Sequence, residues 1–447
     1  MTDTARREVL NRVREEKTKF IRLQFIDLFG TVKCVTITNE KLEEALQRGV
    51  WFDGSSIEGF ARICESDMYL MPDPSTYAPI PWVEGRDTEA RLICDVYTPD
   101  GKPFKGDSRY VLKRAVKEAA DMGFQFMVGP EVEFFLFKRV DGKPIPVTHD
   151  VGGYFDNSPL DLASEVRKHV IYALNKMGME VETCHHEVAT GQHEIDTLYD
   201  EALRTADKTV TLKEVVKAIS SSHNLHATFM PKPIFRQNGS GMHIHQSLYD
   251  KKTGKNVFYD GNDEYQISRI AKHFLAGQLR HIKAMTAILN PTINSYKRLV
   301  AGYEAPVYIC WGRTNRSALI RIPQFLAGRE DSARAEIRSP DPSCNPYLAL
   351  AVMLKAGLEG IKNESELPPA VEEDVYDLTA ADLDQKQIDT LPGSLIDALE
   401  AFKKDEVIRE ALGDHMFDRF LYAKQAEWED YRINVTDWEM KRYFEIT

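Results

Sequence analysis

The stretch Gly129-Pro-Glu-Val-Glu-Phe-Phe-Leu-Phe137 is apolar enough to be a buried strand, yet it carries two acids. Successive side chains of a strand point to opposite faces. Glu131 and Glu133 therefore share one face, and Val132 and Phe134 take the other. The habit recurs in Gly239-Ser-Gly-Met-His-Ile-His-Gln-Ser247, where His243 and His245 share a face with Ile244 and Gln246 behind them. It recurs again in Ala335-Glu-Ile-Arg-Ser339, with Glu336 and Arg338. The segment His185-His-Glu-Val-Ala-Thr-Gly-Gln-His-Glu-Ile-Asp196 adds Glu187 and Glu194. One such strand alone reads as a solvated sheet face. Four segments with the same habit predict an enclosed polar face on which carboxylates converge. Like charges a few Å apart raise one another's pKa unless a cation sits between them. Oxygen donors with one imidazole suit Mg²⁺ or Mn²⁺, whereas zinc more often recruits cysteine.

A second constellation is basic: Arg298, Arg313, Arg316, Arg321, Arg329, Arg334 and Arg338. Guanidinium forks bind carboxylate and phosphate bidentately. Beside a divalent-metal site they suggest phosphoryl transfer, where cations neutralise developing charge. The bland reading of any one arginine is a surface salt bridge with a neighbour such as Glu330 or Asp331. There is no Gly-x-x-x-x-Gly-Lys-Ser/Thr loop and no kinase-type loop set, so a nucleotide would bind by another scheme. Asn238-Gly-Ser-Gly241 lets backbone approach a ligand closely or is a plain turn. Asp53-Gly-Ser-Ser56 and Gly302-Tyr-Glu-Ala-Pro306 read as exposed loops.

The chain has 447 residues, 43% of them hydrophobic and 28% charged, which predicts a large buried core in two or three domains. Its 57 basic and 69 acidic residues give a net charge of −12, so a broad nucleic-acid groove is excluded. Of the six cysteines, Cys34, Cys64 and Cys94 are the closest, at 30-residue spacing. No Cys-x-x-Cys pair exists, and a reducing cytoplasm is expected. The polar N-terminus predicts no signal peptide, and no long apolar run predicts a membrane span. A helix over residues 3–17, two strands around Gly30-Thr31, a helix over 39–48 and a strand over 90–97 form a small α+β unit. Pro99-Asp100-Gly101-Lys102-Pro103 is a boundary, followed by a helix from Arg109 capped by Asp107 or Ser108. Residues 363–391 read as a long exposed loop. The aromatic C-terminal stretch is expected to dock on a neighbour subunit or on its own domain.

Six motifs carry a specific resemblance. They are Phe52-Asp-Gly-Ser-Ser-Ile57, Gly129-Pro-Glu-Val-Glu-Phe134, Phe229-Met-Pro-Lys-Pro233, Asn238-Gly-Ser-Gly-Met-His243, Asn294-Ser-Tyr-Lys-Arg-Leu299 and Asn315-Arg-Ser-Ala-Leu-Ile-Arg-Ile-Pro323. In this order the chain resembles, end to end, the bacterial type I glutamine synthetase family. The resemblance implies an α+β protein: a β-grasp domain over residues 1–102 and a catalytic domain over 103–447. An antiparallel sheet would form a funnel-like site shared between subunits of two stacked rings, a dodecamer. The implied reaction is ATP-dependent ligation of ammonium to L-glutamate through a γ-glutamyl phosphate.

By the same resemblance Glu133, Glu187 and Glu194 would hold one divalent ion, and Glu131, His243 and Glu336 the other. Asn238, Gly239, Arg298 and Arg338 would bind glutamate. Glu182, His245, Ser247, Arg316 and Arg321 would lie along ATP, with Arg316 near the transferred phosphoryl group. Glu304 would sit on a flap over the site. Asp53 of the adjacent subunit would bind ammonium and accept its proton, with Ser56 and Tyr154 nearby. Arg62 resembles a glutamine-feedback residue of the Gram-positive branch, whose members also bind nitrogen-responsive repressors. Val375-Tyr-Asp-Leu-Thr-Ala380 lacks the prolines of the family's adenylylation loop, which argues against modification of Tyr376. Two other readings are a ligase for an organic amine and a regulatory protein on a synthetase fold.

Overall fold

The computed structural model describes residues 3–55, 57, 67–83, 88–303, 305–315 and 317–446. After an amphipathic helix, Asp3–Glu15, that buries Val9 and Val13, the first sheet contains β1 (Phe20–Ile26), β2 (Val32–Thr38), β3 (Val50–Asp53), β4 (Asp67–Pro72), β5 (Ala78–Pro79) and β6 (Glu89–Tyr97). Its order is β2-β1-β6-β4-β3, with β5 paired to β6. β1 and β6 run parallel, while the other pairs are antiparallel. Ile21, Leu23, Leu70, Leu92 and Val96 fill a core of its own. The helix Leu42–Arg48 closes that core with Leu42 and Leu46.

The second sheet contains β7 (Phe124–Val140), β8 (Lys143–Thr148), β9 (Val181–His186), β10 (Gln192–Thr197), β11 (Asp200–Glu201), β12 (Leu225–Thr228), β13 (Met242–Asp250), β14 (Tyr308–Gly312), β15 (Ala318–Arg321) and β16 (Ala335–Ile337). The order is β14-β15-β16-β13-β7-β10-β9, with β8, β11 and β12 also paired to β7. Every pair is antiparallel except β14 with β15. The 17-residue β7 is the spine. Phe126, Val128, Val132, Phe134 and Leu136 enter the main core, joined by Met242, Ile244 and Leu248 of β13 and by Ile195 of β10. The helices Ala202–Ser222, Arg269–Leu289 and Pro346–Lys362 contribute their apolar faces to this core. Gln246 points the same way, and its amide exchanges hydrogen bonds of 2.7 and 2.8 Å with Gln278. The pleat leaves the opposite face for polar chemistry.

The expected outline holds through the first hundred residues, and Asp107 accepts from Arg109 N to cap the helix Ser108–Asp121. The reading of 363–391 as a long exposed loop holds in that most of its residues are exposed and most lie outside helix or strand, but the segment is anchored. Val375 and Ile388 are buried with Cys310 and Ala318 in a small core, and a helix spans Ala380–Gln385. Acidic composition hid the apolar residues that anchor it. At the C-terminus Trp428 packs against the main core, whereas Trp438, Tyr443 and Phe444 lie exposed. No helix among the described residues is long and apolar enough to cross a membrane.

The two sheets are tied by Arg109, a buried guanidinium that is 2% exposed. It pairs with Asp73 and Asp95 beside the first sheet at 2.8 and 2.6 Å, and with Asp207 of the helix Ala202–Ser222 at 2.9 Å. Tyr347 Oη donates to Asp207 at 2.6 Å. Truncating one partner of such a network strands buried charges, so Arg109→Ala is expected to cost about 3–5 kcal/mol. Urea unfolding will measure it, and a loss below about 1 kcal/mol would deny Arg109 this role. A second network gives a pH test. His281 lies 2.7 Å from Asp405 and 3.4 Å from Glu359. Burial works against its charged form, but the bond to Asp405 and the two anions outweigh that, and its pKa is raised. A raised folded pKa gives stability that is full below the unfolded value near 6.5 and lost as pH rises through the folded value. His281→Gln should flatten the fall in urea midpoint above pH 6.5; an unchanged slope would refute the linkage.

Candidate active site

Antiparallel register sets the carboxylates side by side. Glu194 of β10 pairs with Glu133 of β7, and Asp196 with Glu131. On the other flank His243 of β13 pairs with Glu131, and Glu336 of β16 with His245. His185 of β9 pairs with Glu194. Glu131, Glu133, Glu187, Glu194, His243 and Glu336 all line one cleft of about 830 Å³. The convergence expected from four strand segments is what the fold builds.

Each acid has its own surroundings. Burial pushes Glu133 well above the carboxylate range, with further upward pressure from Glu187 and Glu194. Its Oε2 accepts from Gln192 Nε2 at 2.8 Å and from Gly241 N at 3.0 Å. Burial, with Asp196, Glu131 and Glu187 as neighbours, pushes Glu194 up to about 10. Glu131 goes the opposite way. Burial raises it, but hydrogen bonds with His243 Nδ1 at 3.2 Å and His245 Nε2 at 2.7 Å more than offset this and hold it far below its ordinary value. Glu336 is lowered too, because Arg338, His243, His245 and Arg321 outweigh its burial. Arg321 Nε and Arg338 donate to its two oxygens at 2.5 and 2.9 Å.

The donor set fits divalent cations. His185, Glu187 and Glu194 bring ligand atoms within 4.8 Å of one another, and so do Glu131, His245 and Glu336. Carboxylates that repel one another in a buried cleft, each group carrying one imidazole, suit a hard cation. A third such group, Asp150, His186 and His193, lies buried. Arg167 already approaches His193 Nδ1 at 2.9 Å, so a cation is in place there. That network joins the strands from behind: His186 Nε2 lies 3.1 Å from Asp150, and Gly191 N donates to the same carboxylate at 2.9 Å.

Asn238, Gly239, Arg298, Arg321, Arg338 and Tyr154 line the same cleft. The glycines of Asn238-Gly-Ser-Gly241 serve packing within the chain. A Cβ at Gly239 would stand 2.4 Å from Pro231 O, and one at Gly241 would stand 2.6 Å from the Arg298 guanidinium. Arg298 is fixed by donating to the carbonyls of Ser339, Pro340 and Arg338 at 2.7, 3.3 and 3.1 Å. A second cavity of about 370 Å³ is lined by Glu182, His245, Ser247, Arg329 and Arg334. Glu131, Thr183 and Asp196 line both spaces, so the two adjoin. Asp53 lies elsewhere. It is exposed at the end of the edge strand β3, where its Oδ1 accepts from Ser55 N at 2.8 Å. Hydrogen bonds from Ser55 hold it below its ordinary value. Arg313 lies over the Tyr265 ring at 5.1 Å and lines neither cavity. Ser56, Arg62, Glu304 and Arg316 lie outside the described residues.

Sequence reasoning did not single out His185, Gln192 and Asp196, and it read Arg334 only as one of the basic constellation. All four obey the rule that found the others. His185 is two before Glu187, Gln192 and Asp196 flank Glu194 by two, and Arg334 is two before Glu336.

The sequence profile of the glutamine synthetase catalytic domain matches residues 105–443, and that of the glutamine synthetase β-grasp domain matches 17–99. The chain belongs to the glutamine synthetase family. It is 54% identical over 441 residues to glutamine synthetase of Thermus thermophilus, covering 98% of each chain. It is 49% identical over 431 residues to that of Staphylococcus aureus, covering 96% of each. A solved structure described as a GmaS/ADP complex superposes with a TM-score of 0.89 at 32% identity, covering 100% of both chains. Glutamine synthetase membership makes this chain a glutamate–ammonia ligase, with ATP and divalent cations as the family's requirements.

Repulsion in the cleft sets a test. Glu194→Gln should raise the melting temperature of cation-free protein near neutral pH, since Gln supplies the neutral group that burial and the neighbouring acids force on Glu194 without the cost of protonating a carboxylate. The same change should abolish stabilisation by Mg²⁺ or Mn²⁺, which in wild type reaches about 2.7 kcal/mol at a hundredfold excess over Kd. A cation-free melting temperature lowered by Glu194→Gln would contradict the crowding.

Proposed function

We propose that the larger cleft binds L-glutamate and the adjoining cavity ATP, and that the γ-carboxylate is phosphorylated where they meet. The observation that carries this is the junction itself: the acids of both candidate metal groups gather beside it, and Glu182, His245 and Ser247 line its far side. In this reading Glu133, Glu187 and Glu194 hold one Mg²⁺ or Mn²⁺ ion, and Glu131, His243 and Glu336 hold a second. Bound there, the cations offset phosphate charge during transfer. Arg298, Arg338, Asn238 and Gly239 orient the substrate carboxylates. Arg321, which holds Glu336 in the larger cleft, and Arg316 would meet the nucleotide phosphates at the junction.

Oxide is a poor leaving group, so the carboxylate must first become an acyl phosphate. Ammonium has no lone pair, and a carboxylate must hold the cation and take its proton. Asp53 is suited to holding the cation, because its carboxylate is exposed at the end of β3 and its anionic form is favoured by the hydrogen bonds from Ser55. Asp53 lines neither cavity of its own chain, which favours delivery to a neighbour's cleft with Ser56, near Tyr154. Glu304 then covers the site and keeps water from the intermediate.

The same reading assigns residues 1–102 and 103–447 as the two domains and a double ring as the assembly. The exposed Trp438, Tyr443 and Phe444 would meet a second copy. Arg62 would sense glutamine, and repressors would bind the assembled enzyme. The free thiols among the described residues fit a reducing cytoplasm.

Purified protein with Mg²⁺, ATP, glutamate and ammonium should release one glutamine per phosphate, and Glu133→Ala should cut the rate by at least about 100-fold. Normal turnover by Glu133→Ala would sink the metal assignment. Asp53→Asn and Glu133→Ala, each inactive alone, should complement when refolded together. Random assembly of equal amounts predicts roughly a quarter of wild-type activity. No recovery would place Asp53 outside any shared site. A panel of organic amines distinguishes a ligase for larger nucleophiles.

A further inference from the structure

The acidic segment that follows the helix Pro346–Lys362 runs alongside 311–317 and is bonded to it at nearly every step. Val371 N donates to Trp311 O at 2.8 Å. A Cβ at Gly312 would stand 2.5 Å from Val371 O, so the approach there requires glycine. The Glu372 carboxylate accepts from Arg313 N and Thr314 N, both at 2.8 Å, and from Thr314 Oγ1 at 2.6 Å. Asn315 Nδ2 donates to Val371 O at 3.2 Å. Ser317 Oγ lies 3.0 Å from Asp374 Oδ1 and accepts from Val375 N at 3.2 Å. Asn315 and Ser317 are both buried. Asp374 also accepts from Tyr376 N at 3.0 Å, which sets the turn that aims the tyrosine. Tyr376 Oη then donates to Ala305 O at 2.6 Å. Tyr303 and Ala305 line the larger cleft.

These contacts fall at two particular places in the chain. Ala305 directly follows Glu304, and Asn315 and Ser317 flank Arg316. One short segment, anchored by the fully buried Val375, thus holds the neighbours of both residues. We propose that residues 371–376 are a brace fixing the Glu304-bearing and Arg316-bearing loops relative to each other, with Asp374 and Tyr376 as positioning residues for ammonia transfer. The proposal rests on the function given above.

The consequence concerns the fate of the acyl phosphate. In the productive step the ammonia nitrogen bonds to the γ-carbon, phosphate leaves with the electron pair of the C–O bond, and the surplus proton passes to a base. In the leak, water oxygen bonds to the same carbon, phosphate leaves in the same way, and glutamate is regenerated. The sum of the leak is ATP plus water giving ADP and phosphate. Glutamine formed per ADP therefore reports how well ammonia competes with water for the intermediate, and loss of folded enzyme does not change that ratio.

Tyr376→Phe in the assembled enzyme removes the bond to Ala305 and keeps the ring beside Tyr308. Glutamine per ADP, about one for the wild-type ligase, is expected to fall to roughly a half as water gains access. The KM for ammonium should rise roughly three- to tenfold, the worth of one hydrogen bond. ADP formation should stay within about twofold. Asp374→Asn should move both readouts the same way, and Tyr422→Phe on the exposed helix Asp414–Arg432 should move neither. An unchanged ratio and KM in Tyr376→Phe would overturn the brace, and so would a lower kcat and melting temperature at an unchanged ratio. If Tyr376→Phe fails to fold, Asp374→Asn and Glu372→Gln carry the same decision. Wild-type enzyme that makes no glutamine would instead overturn the function on which the brace rests.

Discussion

Carboxylates directly opposite one another on neighbouring antiparallel strands repel, and here two such pairs, Glu133 with Glu194 and Glu131 with Asp196, stand in succession on one face. Most of the surrounding architecture answers that repulsion. Two guanidiniums hold Glu336, two imidazoles hold Glu131, and a backbone amide with the Gln192 side chain serves Glu133. What is left over is a pair of acids, Glu133 and Glu194, whose protons are hard to remove. A protein selected for stability alone would place apolar residues there. The cost is tolerated because the opposite face of the same strands feeds the main core, where Val132, Phe134, Ile195, Met242 and Ile244 are at most 1% exposed. Pleating separates the two demands completely: each residue that serves the cleft has a neighbour that serves the core.

That separation explains what could be read in advance. Period-two alternation identifies the cleft-facing residues of β7, β10, β13 and β16 from local sequence, since the pleat needs no tertiary information to assign faces. It does not say which strands lie side by side. The fold supplies that pairing, with the register of β13 on β7 setting His243 against Glu131. His185, Gln192 and Asp196 were not singled out although they obey the same period, because the segment that holds them was read only for Glu187 and Glu194, and Arg334 was read only for its charge. The anchoring of 363–391 was missed for another reason. Its charge and prolines signal a loop, while its anchoring depends on Val375 and Ile388 meeting Cys310 and Ala318 from far upstream. Contacts of that range leave no local mark. Arg109 is similar: a lone arginine in a helix is unremarkable until three aspartates from three parts of the chain surround it.

The two adjoining cavities carry one further consequence. Glu131 lines both, and its two oxygens face different imidazoles, His243 in the larger space and His245 in the smaller. His243 and His245 are two apart on one strand, so their separation is set by strand rise, about 7 Å. Two small, independently shaped spaces can each bind their substrate by shape and charge, and a rigid strand then fixes how far apart the reacting ends lie. Loops alone would leave that spacing free to drift, and a 1 Å drift costs phosphoryl transfer heavily because the reacting atoms must lie in line. On this argument β13 is the ruler of the site. On the function and brace proposed above, the loops beyond it, including the one that Tyr376 holds through Ala305, would have the separate task of deciding which nucleophile arrives.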